Sequence, residues 1–337
     1  MYSEQPNMQL LENSIFNIDS DAGFEEYALQ IFRFQYGQNP VYRQYCDLVQ
    51  RTPSTINSYS AIPFLPIAYF KTHKIVSSSF QEEIIFESSG TTGTINSRHW
   101  VKNSFLYEQS FTKTFNRFYG PPEDYCFLAL LPSYLERTHS SLVYMVEKLM
   151  KLSGHPMNGF YLYDNEKLSA TLSQLQSAEQ KTFLIGVTYA LFDFAEAFSM
   201  QLKNTVVMET GGMKGRRTEM IREEVHLLLQ IAFGVDHIAS EYGMTELLSQ
   251  AYARKAGFFH CPPWMRVLIR EDDDPFTVHD KKVESFSGAL NIIDLANIYS
   301  CSFIATEDIG RLHSDRSFEV LGRIDNSDIR GCSLLTI

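Results

Sequence analysis

The sequence predicts an α/β protein with layered, mostly parallel sheets and flanking helices. Three observations carry that prediction. From about residue 84, short apolar or β-branched runs alternate with longer stretches of helical spacing. Turn residues mark the junctions, as at Gly211-Gly212. Apolar residues make up 44% and aromatic residues 13% of the 337, enough to bury a sizeable core. Strands that alternate with helices argue for parallel pairing through crossover helices.

The elements follow in order. Residues 1–76 are expected to form a helical segment packed on the main domain. Within it, Gly23 to Tyr36 (GFEEYALQIFRFQY) spaces its apolar residues as a helix does. Ile62 to Phe70 (IPFLPIAYF) carries two prolines and reads as an irregular connector. EIIFE then leads into a loop rich in Ser, Thr and Gly, and YCFLALLP, Tyr125 to Pro132, reads as a buried strand. KTFLIGVTYALFDFAEAF reads as strand, turn and helix. NTVVMETGGMKGRRTEMIREEVHLLLQIAF repeats that order, and DHIASEYGMTELLSQAYA does so a third time. From about residue 265, short strands and turns return in MRVLIRE, GALNIIDLANI, DIGRLH and SFEVLGRI. The main domain is set at 77–322 and a tail at 323–337. In such sheets ligands bind beyond the carboxyl ends of the strands, where the three turns and the opening loop are expected to lie.

Charge and composition exclude several classes. A net charge of −11 argues against a basic nucleic-acid footprint and against a polybasic membrane anchor. No run reaches the roughly 18 apolar residues of a membrane span, and MYSEQPNMQLLENSIF lacks the basic-then-apolar order of a signal peptide. The five cysteines (Cys46, Cys126, Cys261, Cys301 and Cys332) form no Cys-x-x-Cys pair, so a reducing cytoplasm is expected.

Three loops have the residue types of a nucleotide site. In Ser88-Ser89-Gly90-Thr91-Thr92-Gly93, glycines allow close backbone approach, successive N–H groups make an anion nest, and hydroxyls add donors. A polyphosphate suits it, although the Walker spacing is absent and the segment alone is equally a surface loop. In Ser240-Glu241-Tyr242-Gly243-Met244-Thr245-Glu246, the Tyr can stack on a planar base and the Glu can hold Mg²⁺. Its plain alternative is a strand-to-helix turn. Asp308-Ile309-Gly310-Arg311-Leu312 and Gly322-Arg323-Ile324-Asp325 pair acids that can bridge ribose hydroxyls with arginines that can meet phosphate. Alone, each is a β-turn with an exposed ion pair.

Taken as a set, SSGTTG, EYGMTE, EDIGRL and GRID resemble the adenylate-forming superfamily of acyl-CoA synthetases, luciferases and nonribosomal peptide adenylation domains, over roughly residues 84–330. The resemblance implies that superfamily's large domain as the fold. It also implies ATP phosphate contacts at Ser88 to Gly93, and an adenine-side segment over Tyr242, Gly243, Met244 and Thr245. Glu246 is then the Mg²⁺ carboxylate, Asp308 the ribose ligand, and Arg323 with Asp325 the hinge. The double Ser, SRHW, GGMKGRR and RGCSLL are similar to the acyl-protein synthetases, the fatty acid–protein ligases of bacterial luminescence systems. That branch implies activation of a fatty acid with ATP, transfer to an enzyme cysteine, here Cys332, and delivery to an acyl-CoA-reductase-type partner.

One departure shapes the remaining expectations. Most adenylate-forming enzymes continue into a small C-terminal domain with a catalytic lysine, and this chain stops twelve residues after Asp325. The small domain is therefore expected to be absent. Positive charge for the α-phosphate is expected from Lys214 or Arg216, with Arg217 beside them. Arg98, His99, Gly211 and Gly212 are further candidates for substrate or phosphate contacts. Arg330 and Arg323 are candidates to lower the thiol pKa of Cys332 if the fold brings them near. Two alternatives stay open: a ligase that uses an external thiol such as CoA or a carrier protein, and a nucleotide-binding subunit without catalysis.

Overall fold

A computed structural model describes residues 8–89, 95–133, 135–211, 220–271, 274–280 and 286–324. The chain opens with helices α1 (Met8–Ser14), α2 (Asp21–Gln38) and α3 (Pro40–Leu48). Ser20 caps α2 by accepting the Gly23 N–H. Asn39 closes α2 and caps α3 through the Tyr42 N–H, with Pro40 at the first helical position, where no N–H is missed. Strand β1 (Leu65–Pro66) and the single turn α4 (Tyr69–Thr72) follow. β2 (Ile84–Glu87), β3 (Arg98–Val101), α5 (Ser104–Tyr119) and β4 (Cys126–Leu130) come next. The helix–strand alternation then runs through α6 (Ser141–Ser153), β5 (Gly159–Phe160), α7 (Asn165–Ser177) and β6 (Thr182–Val187). It ends with α8 (Thr188–Ala197), β7 (Thr205–Thr210), α9 (Arg222–Phe233) and β8 (Ala239–Tyr242). The last strands are β9 (Ala251–Ala253), β10 (Met265–Arg270), β11 (Val278–His279), β12 (Phe286–Asp294), β13 (Phe303–Leu312) and β14 (Phe318–Arg323).

These strands make two main sheets. One has the order β5-β4-β6-β7-β8-β9 and is parallel except at β8–β9. β4 and β6 are buried along their whole length, as expected for parallel strands covered on both faces. The second has the order β1-β13-β12-β10-β11, with β14 added to β13, and is antiparallel except at β1–β13. The N-terminal helices cover this sheet around Phe303, whose ring meets Tyr42, Phe32 and Phe64 at centroid distances of 6.2–6.4 Å. Among the described residues, no helix is long and apolar enough to cross a membrane.

Three local expectations change. The opening loop does not follow a parallel strand: β2 and β3 form an antiparallel hairpin, with Glu87 opposite Arg98, and the loop joins them. The stretch after Tyr242 does not become a helix. It turns and returns as β9, because buried side chains from elsewhere bind its backbone in place of helical hydrogen bonds. The prolyl connector supplies β1, whose two residues pair with Ile304 and Ala305.

Candidate active site

The separated motifs meet at the edge between the two sheets. Tyr242, the last residue of β8, donates its hydroxyl to Asp308 Oδ2 on β13 at 2.7 Å, across 66 residues of sequence. Asp308 Oδ1 faces Arg323 Nε of β14 at 3.2 Å, a contact set by the antiparallel register that puts Asp308 opposite Arg323. Asp308 is 9% exposed, whereas the Arg323 side chain is 64% exposed. Each carboxylate oxygen of Asp308 keeps a second lone pair for a ligand hydroxyl. The Tyr242 ring sits edge-on to Phe259 and Phe318 at 5.9 and 5.5 Å, and burial followed by the Asp308 charge pushes its phenol pKa well up. A Cβ on Gly243 would displace Glu241 Oε1, the end of the carboxylate whose other oxygen accepts from Thr210. Met244 offers only its sulfur to the Tyr242 hydroxyl, at 3.5 Å.

Glu246 is 5% exposed. Burial raises its pKa, opposed by a hydrogen bond from Ser97 and by the charges of Arg323 and Lys71. The turn that carries it is braced from three directions. Asn297 Nδ2 donates to Glu246 O at 2.7 Å and to Cys301 O at 2.9 Å. Asp294 accepts the Leu248 N–H at 2.7 Å and the Ser249 hydroxyl at 2.6 Å, and burial pushes its carboxyl up to about 6. His99 on β3 places Nδ1 2.8 Å from Thr245 O and Nε2 2.9 Å from Asn297 Oδ1. A neutral imidazole donates to only one of these acceptors, yet burial lowers its pKa to about 4. His99 was expected to touch substrate or phosphate. It is 1% exposed with both ring nitrogens facing protein oxygens, which makes it a brace of the Thr245–Glu246 turn.

The described base of the opening loop lies next to Glu246. Ser88 N–H donates to Ser97 O at 3.1 Å, and Ser88 Oγ accepts the Ser97 N–H at 2.9 Å, so the loop's two ends are pinned together. Ser89 is exposed beyond this clamp. Arg98 is exposed and paired with Glu87 at 3.0 Å. Gly90, Thr91, Thr92 and Gly93 lie outside the described residues.

A further polar cluster lies at the carboxyl ends of β6, β7 and β8. Glu209 accepts from Thr188 Oγ1 at 2.9 Å and faces Arg222 Nε and His226 Nε2, each at 3.6 Å. His226 also meets Ser240 at 3.1 Å. Thr210 donates to Glu241 at 2.6 Å, but burial, aided by Glu209, pushes the Glu241 carboxyl up to about 7. Gly211 closes β7 at φ 73°, a conformation that favours glycine. Gly212, Lys214, Arg216, Asp325 and Cys332 lie outside the described residues.

Sequence reasoning missed Asn297, Asp294 and the Glu209 cluster. Asp294 directly after the apolar pair Ile292-Ile293, and Asn297 three residues further on, were a turn signal for the first two. Nothing local marks Glu209, whose partners Thr188, Arg222 and His226 come from α8 and α9. Among the described residues no three His, Cys, Asp or Glu side chains form a metal cage. Glu246 fits Mg²⁺ in its usual mode, one carboxylate with the remaining ligands from water and substrate phosphate.

The layered sheets are those of the large domain of adenylate-forming enzymes. The family model for LuxE acyl-protein synthetases matches residues 16–336, and the chain belongs to that family. The fold is similar to that of a 2-hydroxyisobutyryl-CoA ligase solved in the postadenylation state with an acyl-AMP (TM-score 0.63, 11% identity, 91% of this chain and 68% of that one). It is also similar to ATP-bound MatB from Rhodopseudomonas palustris (0.53, 16%, 85% and 58%). A luciferase-like enzyme from the mealworm Zophobas morio is a further neighbour (0.53, 15%, 76% and 61%). The chain thus spans about three fifths of the length of the last two. A comparison with curated proteins finds no match.

Proposed function

We propose that this protein activates a long-chain fatty acid with ATP as an acyl-adenylate and passes the acyl group to Cys332, for delivery to a reductase-type protein. The observation that carries the proposal is the Tyr242–Asp308–Arg323 contact beside the buried Glu246, which joins the three described motifs at one place. In the first step a carboxylate oxygen bonds to the α-phosphorus. The bond from that phosphorus to the bridging oxygen breaks, and pyrophosphate leaves with its electron pair. Asp308 would hold the ribose hydroxyls and Tyr242 would orient Asp308. The Ser88–Gly93 loop would hold phosphate oxygens through N–H and hydroxyl donors, and Lys214 or Arg216 would neutralise charge that builds on the α-phosphate. When bound, Mg²⁺ held by Glu246 would offset phosphate charge. The His99–Asn297–Asp294 brace would fix Glu246 in place.

In the second step the Cys332 thiolate attacks the acyl carbonyl and AMP departs. Four of the five cysteines are described, and burial raises the pKa of each thiol, to about 12 for Cys46, Cys126 and Cys261 and further for Cys301. A thiol raised that far supplies almost no thiolate at neutral pH, which supports Cys332 as the nucleophile in this reading. Intact-mass measurement after incubation with ATP, Mg²⁺ and fatty acids tests this. An acyl adduct that disappears in Cys332→Ser supports the reading. An adduct that persists removes Cys332 from the mechanism, and an unmodified enzyme that acylates added CoA or carrier protein moves the acceptor outside the chain.

A further inference from the structure

We propose that Lys71 is a catalytic cation of this site, its ammonium meeting the phosphate oxygens of the nucleotide as the carboxylate attacks. The proposal rests on the adenylation reading above. Its basis is the way α4 is anchored. On one side Ile67 N–H donates to Ala305 O at 2.9 Å, and β1 runs parallel to β13, the strand that carries Asp308. On the other side Phe70 is buried with its ring edge-on to His99 at 6.1 Å. His99 in turn contacts Thr245 O at 2.8 Å. One ring therefore separates α4 from the turn that bears Glu246. Phe70 points inward, and the next residue, Lys71, is exposed.

Two cations lie on elements that border the site, Arg323 on β14 and Lys71 on α4, and they differ in availability. Arg323 is already paired with Asp308 at 3.2 Å. Lys71 forms no ion pair or side-chain hydrogen bond with any described residue, so its ammonium keeps its donors for a ligand. An anionic nucleotide and an anionic carboxylate must meet beside Glu246, Asp308, Glu209 and Glu241 in a chain of net charge −11. A compact ammonium on a flexible stem suits phosphate oxygens whose charge shifts during reaction. As the bond to the α-phosphorus forms and the bond to the bridging oxygen breaks, negative charge moves onto the departing pyrophosphate. Lys71 neutralises that charge and exchanges no proton.

The test uses the full chain and carboxylate-dependent exchange of labelled pyrophosphate into ATP. Lys71→Gln is expected to keep the melting temperature, as an exposed site should, and to lower the exchange kcat by about 10- to 100-fold. Lys71→Cys in a Cys332→Ser background, alkylated with 2-bromoethylamine, restores an ammonium at nearly the same reach and should regain most of the loss. Exchange by Lys71→Gln within twofold of the unmodified protein overturns the proposal, as does a loss that alkylation of Lys71→Cys fails to recover. Absence of exchange in the unmodified protein with every acid overturns the adenylation reading itself, which separates the two failures.

Discussion

Replacing Asn297 with alanine removes the central brace of the Glu246 turn. The side chain donates to Glu246 O and Cys301 O and presents its oxygen to His99, all in the interior. Each donated bond contributes roughly 1 kcal/mol net, and each buried group left without a partner costs roughly 1–3 kcal/mol. Two carbonyls and one ring nitrogen lose their partner, and partial relaxation reduces the sum, so the expected destabilisation is about 2–5 kcal/mol. Urea unfolding followed by the fluorescence of Trp100 and Trp264 reads this as a lower midpoint at an unchanged slope. Freed from its brace, Glu246 should also hold Mg²⁺ poorly, so pyrophosphate exchange should demand more metal. A loss below about 0.5 kcal/mol together with an unchanged metal requirement would refute the brace, since surface substitutions stay within that range.

Three further outcomes follow. Tyr242→Phe deletes the hydroxyl that donates to the Asp308 carboxylate, and a hydrogen bond to a charged group contributes about 1.5–3 kcal/mol. Isothermal titration should therefore show weaker ATP binding, and unchanged affinity would speak against the Tyr242–Asp308 pair. Gly243→Ala drives a Cβ into the Glu241 carboxyl, and exchange activity and melting temperature should fall together while Gly37→Ala, where a Cβ meets nothing, leaves both intact. His99 titrates at about 4 in the fold against 6.5 as a free imidazole, so unfolding takes up a proton between those values. Its contribution to stability is complete above 6.5 and is lost as pH falls toward 4, a span on the order of 3 kcal/mol. Urea unfolding across that range should give a shallower pH dependence for His99→Gln than for the unmodified protein. Equal slopes would contradict the buried neutral imidazole.

The parallel sheet was legible because its signals are local. In β4, β6 and β7, apolar runs are bounded by turns, and each is followed by a stretch of helical period. The convergence of the motifs was legible through their order: Tyr242, Glu246, Asp308 and Arg323 were picked out from separated segments and are adjacent in the fold. What sequence reading missed depends on long-range partners. The MTELLSQ stretch has helical composition, yet Asp294 and Asn297 bind its backbone and hold it as a turn. His99 sits between Arg98 and Trp100 just after a polar loop, and only the strand alternation of β3, with His99 and Val101 inward, turns it toward the core. A four-residue strand before a polar loop does not announce whether its partner is parallel, so the β2–β3 hairpin was not foreseen.

The most direct test of the adenylation site is exchange of labelled pyrophosphate into ATP, measured with straight-chain carboxylic acids of graded length and with Glu246→Gln as control. Exchange that requires both acid and Mg²⁺, peaks at a long chain and drops by about 100-fold or more in Glu246→Gln is the expected result. ATP that binds normally yet exchanges with no acid, or exchange untouched by Glu246→Gln, would contradict an adenylating site built on Tyr242, Glu246, Asp308 and Arg323.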